Sequence, residues 1–366
     1  MTEPRDQPLN LAPASVMDYR ELARRKLPRQ LFDYIDGGAY AESTMRANVR
    51  DLRDIHLRQR ILRDVSDIDL GAEVLGESLS LPIVLGPVGL AGMFSRRGEV
   101  AAARAAEQEG IRFCESTVSI CSIEEIQAAT GVAFWFQLYV MRDRSYAEDL
   151  IGRARDAGCS TLVLTVDLAV VGARYRDTRN GMMDTISGAK KLVRAWDILS
   201  HLGWVRDVAV RGKPLTFGNL EAAVPGARSP AGFKDWVDGQ FDPSVTWDDL
   251  AWVRKHWDGK LVLKGILDVD DARRAAEAGA DAIVVSNHGG RQLDDVRSTA
   301  AALPPIADAV GDKLEVLVDG GIRSGLDVVK MLALGARACL LGRAWTYAVA
   351  GGGQEGLAHV IRIIRE

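Results

Sequence analysis

The sequence predicts an α/β chain closed into a (β/α)8 barrel, with a helical segment before the barrel and a long insertion after its fourth strand. Three observations carry this. Short apolar runs alternate with amphipathic stretches of helical period from about residue 80 to 345. The helical stretches repeatedly close on a glycine, at Gly110, Gly158, Gly279 and Gly335, with a new apolar run close behind. The polar residues of chemical interest gather where the apolar runs end, which in such a barrel is the catalytic face.

The eight runs are Leu81–Val88, Ile111–Ser116, Ala133–Tyr139, Thr161–Asp167, Lys260–Ile266, Ala282–His288, Glu315–Gly321 and Ala338–Gly342. They are almost continuously apolar, as strands covered on both faces are. A doubly wound open sheet is the competing architecture. It would carry a glycine-rich phosphate turn after its first strand, and Gly86-Pro87-Val88-Gly89 lacks the GxGxxG pattern.

The whole chain, 1–366, reads as one domain, with a helical segment over 1–75 and the barrel over 76–366. In the first part, Ser15-Val16-Met17-Asp18 starts a helix, Leu27-Pro28 breaks it, and Leu31–Ile35 restarts one before Gly37-Gly38. This segment either plugs the bottom of the barrel or carries Tyr34 to its top. Residues 168 to 259, between the fourth and fifth strands, are far too many for a βα connection, so an insertion is expected at about 180–258. Within it, 190–211 combines apolar residues, Trp196 and Trp204 with Lys190, Lys191, Arg194, Arg206 and Arg211. Such a segment suits an anionic membrane surface, a lid over the barrel mouth or a subunit contact.

A net charge of -4 and an isoelectric point near 5.9 argue against nucleic acid as the main partner. The cysteines Cys114, Cys121, Cys159 and Cys339 are widely spaced and read as reduced core thiols. No metal site is expected, because no His, Asp, Glu and Cys cluster has ligand spacing. The N-terminal stretch has no signal-peptide core and no run approaches the ~18 apolar residues of a membrane span. A cytoplasmic protein is expected, with peripheral contact to the inner face of the cell membrane if 190–211 touches lipid.

The most informative stretch is Ser286-Asn287-His288-Gly289-Gly290-Arg291-Gln292-Leu293-Asp294-Asp295. It follows the strand Ala282–Val285 and delivers a histidine and an arginine, three residues apart, into a glycine-rich turn. A histidine holds or removes a proton near neutral pH. A guanidinium fork grips a carboxylate. The pair suits a substrate with a carboxylate beside the carbon that loses a proton. The other histidines, His56, His201, His256 and His359, read as structural or exposed.

Other strand ends complete a polar set. The third ends Gln137-Leu138-Tyr139, and the fourth Thr165-Val166-Asp167, with Arg174 soon after. Asp167 is placed by layer to orient His288. The seventh ends Asp319-Gly320-Gly321 before Arg323, and the eighth Gly342 before Arg343. Glycines and arginines in the last two loops form an expected phosphate cradle. Lys264 interrupts the apolar fifth strand. It is a Schiff-base lysine, a fixed cation beside a cofactor, or half of a structural ion pair.

With these residues in hand, the chain resembles the FMN-dependent L-2-hydroxy acid dehydrogenase and oxidase family, and most closely its bacterial respiratory L-lactate dehydrogenase branch. SNHGGRQLD is highly specific, and LPRQLFDYIDGGAYAE, LGPVGLAGMFSRRGE, FWFQLYVMRDR, GARYRD and VLKGILD support it. The resemblance implies a TIM barrel with FMN at its C-terminal mouth. It implies His288 as base with Asp167 as partner, and Arg291, Arg174 and Tyr34 on the substrate carboxylate. Tyr139 would bond the substrate hydroxyl. Lys264 would sit beside flavin N1 and C2=O. Ser116, Gln137, Thr165, Ser286 and the backbone of Pro87, Val88 and Gly89 would contact the flavin ring. Asp319, Gly320, Gly321, Arg323, Gly342 and Arg343 would hold the ribityl chain and phosphate.

The implied reaction takes L-lactate to pyruvate, with quinone or a cytochrome as final electron acceptor and a homotetramer as the assembly. An oxidase using O2 on lactate, glycolate or mandelate-type acids is the alternative, since both share every catalytic residue. A phosphate-binding aldolase or isomerase using Lys264 covalently is a third possibility. Gly89, Val118 and Val171 shape a pocket for a small substrate group. The chain departs from the family in having Ala169 and Val171 where prolines are common, so a more mobile Arg174 loop is expected.

Overall fold

The computed structural model describes residues 11–182, 188–212, 215–221 and 239–366. Eight parallel strands close into a barrel: β1 (Ile83–Leu85), β2 (Arg112–Ser116), β3 (Trp135–Leu138), β4 (Thr161–Thr165), β5 (Lys260–Ile266), β6 (Ala282–Val285), β7 (Glu315–Val318) and β8 (Ala338–Leu341). Each pairs with its sequence neighbour, and β8 returns to β1, with Leu340 opposite Val84. The closed parallel barrel is therefore the architecture, and the open sheet is excluded. The strands are shorter than the apolar runs suggest. The sixth stops at Val285, and His288 stands beyond it in a turn with φ of 56°.

Side-chain alternation with period two explains the interior. Val84, Cys114, Trp135, Val163, Val262, Val284, Leu317 and Leu340 fill the barrel centre. One step of two further along five of these strands lie Ser116, Gln137, Thr165, Lys264 and Ser286. Thr165 is in register with Lys264, and Ser116 with Gln137. The polar layer is thus built directly on an apolar one, at the C-terminal mouth. Outward-facing strand residues pack under the helices as a second, larger core.

The opposite end is closed by an antiparallel hairpin, Ala72–Val74 with Glu77–Leu79. Val74, Leu75 and Leu79 pack onto the interior cluster. Glu77 accepts hydrogen bonds from Trp135 Nε1 (2.9 Å) and Ser160 Oγ (2.8 Å). Sequence patterning missed this plug because each strand has only three residues.

Three helices precede the hairpin: α1 (Val16–Lys26), α2 (Arg29–Asp36) and α3 (Ser43–Asp54). Ser15 caps α1 by accepting from Asp18 N, and Pro28 starts α2. Of the two expected placements, Tyr34 at the mouth is the one found, since α2 brings it to the cavity there. All four cysteines are buried free thiols.

After β4 come the short helix Tyr175–Arg179, the helix Ala189–Ser200, a turn at Leu202–Trp204 and a π-helical turn Val205–Val210. The helix Asp249–His256 then leads into β5. Ala189–Ser200 is two-sided. Lys191, Arg194, Ala195 and Ile198 face the barrel mouth. Leu192, Val193, Trp196 and Leu199 face outward and are exposed, Leu192 by 74% and Trp196 by 73%. No helix among the described residues is long and apolar enough to cross a membrane.

Candidate active site

A cavity of about 770 Å3 occupies the barrel mouth. Tyr34, Pro87, Val88, Gly89, Tyr139, Arg174, Lys264, His288, Arg291, Asp319, Gly320, Gly321, Arg323, Gly342 and Arg343 all line it. Ser116, Gln137, Thr165 and Ser286 are buried in the layer beneath. The ends of all eight strands, together with α2, thus bring the expected residues to one place.

His288 and Asp167 meet across β4 and β6, with Nδ1 of the imidazole 2.9 Å from Oδ1 of the carboxylate. Burial pushes the imidazole pKa below its ordinary value. The Lys264 and Arg291 cations push the same way, and Asp167 opposes them. The ring is therefore neutral at neutral pH, as a base must be. For Asp167, burial works to raise the pKa, but His288 and Lys264 outweigh it and the carboxyl lies below its usual range. The two fit only because of Gly265, whose φ is 115° at a bulge in β5. A Cβ there would lie 2.6 Å from Asp167 Cβ. Sequence reading missed Gly265, because its contact is with another strand.

Two guanidinium groups flank the Tyr34 ring. The Arg291 carbon centre is 4.9 Å from the ring centroid and that of Arg174 is 5.4 Å. Arg291 donates to the carbonyls of Tyr34 (2.6 Å) and Gly37 (3.0 Å). Arg174 pairs with Asp177 at 3.6 Å, while its Nε and Nη1 are buried without hydrogen bonds. Such donors call for an anionic acceptor. Burial and Arg174 lower the Arg291 pKa, and a bound carboxylate relieves that strain.

Lys264 Nζ lies 3.1 Å from Ser286 Oγ and 3.2 Å from Asp319 Oδ2. Ser286 donates to Asp319 Oδ2 (2.9 Å) and accepts from His288 N (3.0 Å). Burial alone would lower the lysine pKa, yet Asp319 and Asp167 raise it. Lys264 is a fixed cation. A Schiff-base lysine needs a free amine with a lowered pKa, so the covalent alternative loses its support.

At the other end, Arg343 is pushed down to about 9, first by burial and further by Arg291 and Arg323, with Tyr347 and Asp36 opposing. Its Nε has no partner. A Cβ on Gly342 would meet nothing within 4 Å, so the chain leaves open space where the helix Arg343–Arg365 begins. Helix starts with open backbone N–H groups and nearby arginines hold phosphate. Gln137 Oε1 accepts from Ser116 Oγ (3.0 Å), and its Nε2 is a buried donor without a partner. A cation near the centre, an orphaned amide at the wall and a basic, open cradle at one end fit a flavin mononucleotide.

The Arg174 loop is better held than the missing prolines suggest. Gln292 Nε2 donates to Val170 O at 3.1 Å, and Gly172 N donates to Gln292 Oε1 at 3.4 Å. Asn48 and Asn287 form a reciprocal amide pair, 2.8 Å in each direction, that ties α3 to the turn carrying His288. Neither Gln292 nor Asn48 is signalled by local pattern, since their partners lie far away in sequence.

Residues 23–366 match the FMN-dependent dehydrogenase family. The L-lactate dehydrogenase of Caulobacter vibrioides is 55% identical over 351 residues, covering 96% of this chain and 91% of that protein. That of Pseudomonas syringae pv. syringae is 52% identical over 350 residues, with 96% and 91% covered. Among solved structures, the monotopic membrane protein (S)-mandelate dehydrogenase matches with a TM-score of 0.88 and 38% identity over 98% of this chain and 93% of that one. Mandelate oxidase matches at 0.81 and 39%, over 96% and 92%. Family, relatives and fold agree with a cavity built for a flavin and a small carboxylate, and this chain belongs to the FMN-dependent dehydrogenase family.

Proposed function

We propose that this FMN-dependent oxidoreductase of 2-hydroxy acids takes L-lactate to pyruvate and passes the electrons to quinone or a cytochrome. The observation that carries the substrate class is the neutral His288, held by Asp167, facing a cavity also lined by Arg174 and Arg291. In this reading the two arginines and Tyr34 hold the carboxylate. Tyr139, buried and with its hydroxyl pKa raised by burial and by Asp167, remains protonated and bonds the substrate oxygen. His288 takes the proton, and Asp167 stabilises the imidazolium that results. When bound, FMN supplies the two-electron acceptor. Lys264 would supply a positive charge beside it, and Arg323 and Arg343 would hold its phosphate.

Lactate is favoured because the apolar side chains of Val118 and Val171 line the cavity and suit a methyl group. A Cβ on Gly89 would already lie 2.5 Å from Val118 Cγ2, so the two residues pack tightly. Such pockets separate substrates differing by one methylene by only ~1–3 kcal/mol. Stopped-flow rates of flavin reduction with L-lactate, 2-hydroxybutyrate and (S)-mandelate test the assignment. Fastest reduction by L-lactate supports it, and fastest reduction by mandelate overturns it.

Two partner assignments belong to the same proposal. The exposed apolar ridge of Ala189–Ser200 supports peripheral contact with the inner face of the membrane, where quinone resides. Co-sedimentation with anionic vesicles should occur and be lost in Leu192→Asp/Trp196→Asp; a protein that stays in the supernatant refutes the contact. Every residue of 56–71 is exposed, and Ile61, Leu62, Val65 and Ile68 lie among them. This arm supports assembly with further copies, as a tetramer. Light scattering at monomer mass would refute it.

A further inference from the structure

We infer that Gln292 is a positioning residue that locks the two halves of the site together, across a loop in which this chain has Ala169 and Val171 where prolines are common. The inference rests on the proposed roles of His288, Asp167 and Arg174. Those three groups come from two loops. Asp167 and Arg174 flank the loop after β4, while His288 and Arg291 sit in the turn after β6. Nothing covalent fixes one loop against the other, yet the proton-transfer pair and the carboxylate clamp each take one member from each.

Gln292 is the bridge. It is buried, directly follows Arg291, and its amide reaches three points of the β4 loop. Nε2 lies 3.4 Å from Asp167 O and 3.1 Å from Val170 O, and Oε1 lies 3.4 Å from Gly172 N. One amide thus spans the stretch between the carboxylate that orients the base and the guanidinium that meets the substrate. The backbones are also in close contact. A Cβ on Gly172 would lie 2.5 Å from Arg291 O and 2.7 Å from Gln292 O. Proline at 169 or 171 would stiffen the loop by restricting its unbound conformations. With Ala169 and Val171 there, the loop leans more heavily on the amide contacts of Gln292. Loss of an amide hydrogen bond is modest in itself. A shift of about 1 Å in reacting groups can cost on the order of a hundredfold in rate.

The test uses FMN-loaded protein, with oxalate as a carboxylate probe read by the oxidised flavin spectrum. Gln292→Leu should keep its FMN and weaken oxalate binding roughly tenfold. It should raise KM for lactate more than it lowers kcat, and shift the acid limb of the kcat/KM pH profile as Asp167 loosens. Adding Ala169→Pro to Gln292→Leu should restore most of the oxalate affinity, which a general folding defect would not allow. If Gln292→Leu does not fold, Gln292→Glu carries the test. It keeps an acceptor for Gly172 N, loses the donor to Val170 O, and should weaken oxalate binding in the same direction. Wild-type oxalate affinity and an unchanged pH limb in the folded variant overturn the inference. A wild-type protein whose flavin spectrum ignores oxalate would instead overturn the underlying clamp.

Discussion

Asp167 Oδ1 sits 2.9 Å from Nδ1 of His288, which leaves Nε2 as the ring nitrogen free of Asp167 in a turn whose φ is 56°. A left-handed backbone at a residue with a Cβ costs about 1–2 kcal/mol. That cost is held in place by the Asn48–Asn287 amide pair and by Ser286 Oγ accepting from His288 N. The base is therefore positioned from the backbone outward.

The first prediction concerns that base. His288→Gln should keep FMN and lose about a thousandfold or more in the rate of flavin reduction. Stopped-flow absorbance checks it, and near-normal reduction rules the assignment out.

A second prediction concerns pH. Burial holds the His288 pKa below 6.5, so the working neutral form dominates above that depressed value. The reduction rate should climb as pH rises through it and then level off. Asp167 raises the His288 pKa. Asp167→Asn should therefore move the limb to lower pH while cutting the plateau on the order of a hundredfold. A limb that moves to higher pH contradicts the pairing.

The third concerns the clamp. Lysine cannot reproduce a guanidinium fork, so Arg174→Lys should raise KM for lactate roughly tenfold with little change in melting temperature. Arg291→Lys should do more. Arg291 also donates to Tyr34 O and Gly37 O, and its loss should lower thermal stability as well. Equal effects from both variants on melting would show that the two arginines are not divided in this way.

A fourth prediction separates charge from covalent chemistry at Lys264. Lys264→Met leaves the Asp319 carboxylate uncompensated in a buried layer, which should cost about 3–5 kcal/mol of stability. Adding Asp319→Asn should recover much of the melting temperature without recovering reduction. Borohydride with a carbonyl substrate should trap nothing on wild-type protein; a mass adduct at Lys264 would contradict the fixed-cation role.

The barrel and most of its mouth were legible in the sequence because both rest on local signals. Eight apolar runs mark the strands, and period-two alternation past Val163, Val262 and Val284 delivers Thr165, Lys264 and Ser286 to the mouth. Strand ends are read too long, at His288 and Gly321, because the ladders stop with the apolar residues at Val285 and Val318, while the polar and glycine residues that follow belong to the loops. The hairpin at 72–79 escaped because its stability comes from Trp135, Ser160 and Glu315 rather than from its own few residues. Gly265, Gln292 and Asn48 escaped for a related reason. Each acts on a partner far along the chain, and neither propensity nor spacing records such a contact. The insert was recognised by length and composition, while its division into a cavity-facing and an outward face emerged only from the placement of Ala189–Ser200.

The most direct test of the central claim is a visible spectrum of the purified protein, mixed without oxygen with L-lactate or D-lactate. The account predicts a yellow protein, bleached by L-lactate and unchanged by D-lactate, that regains colour slowly in air. A protein that carries FMN but is not bleached by L-lactate would contradict it.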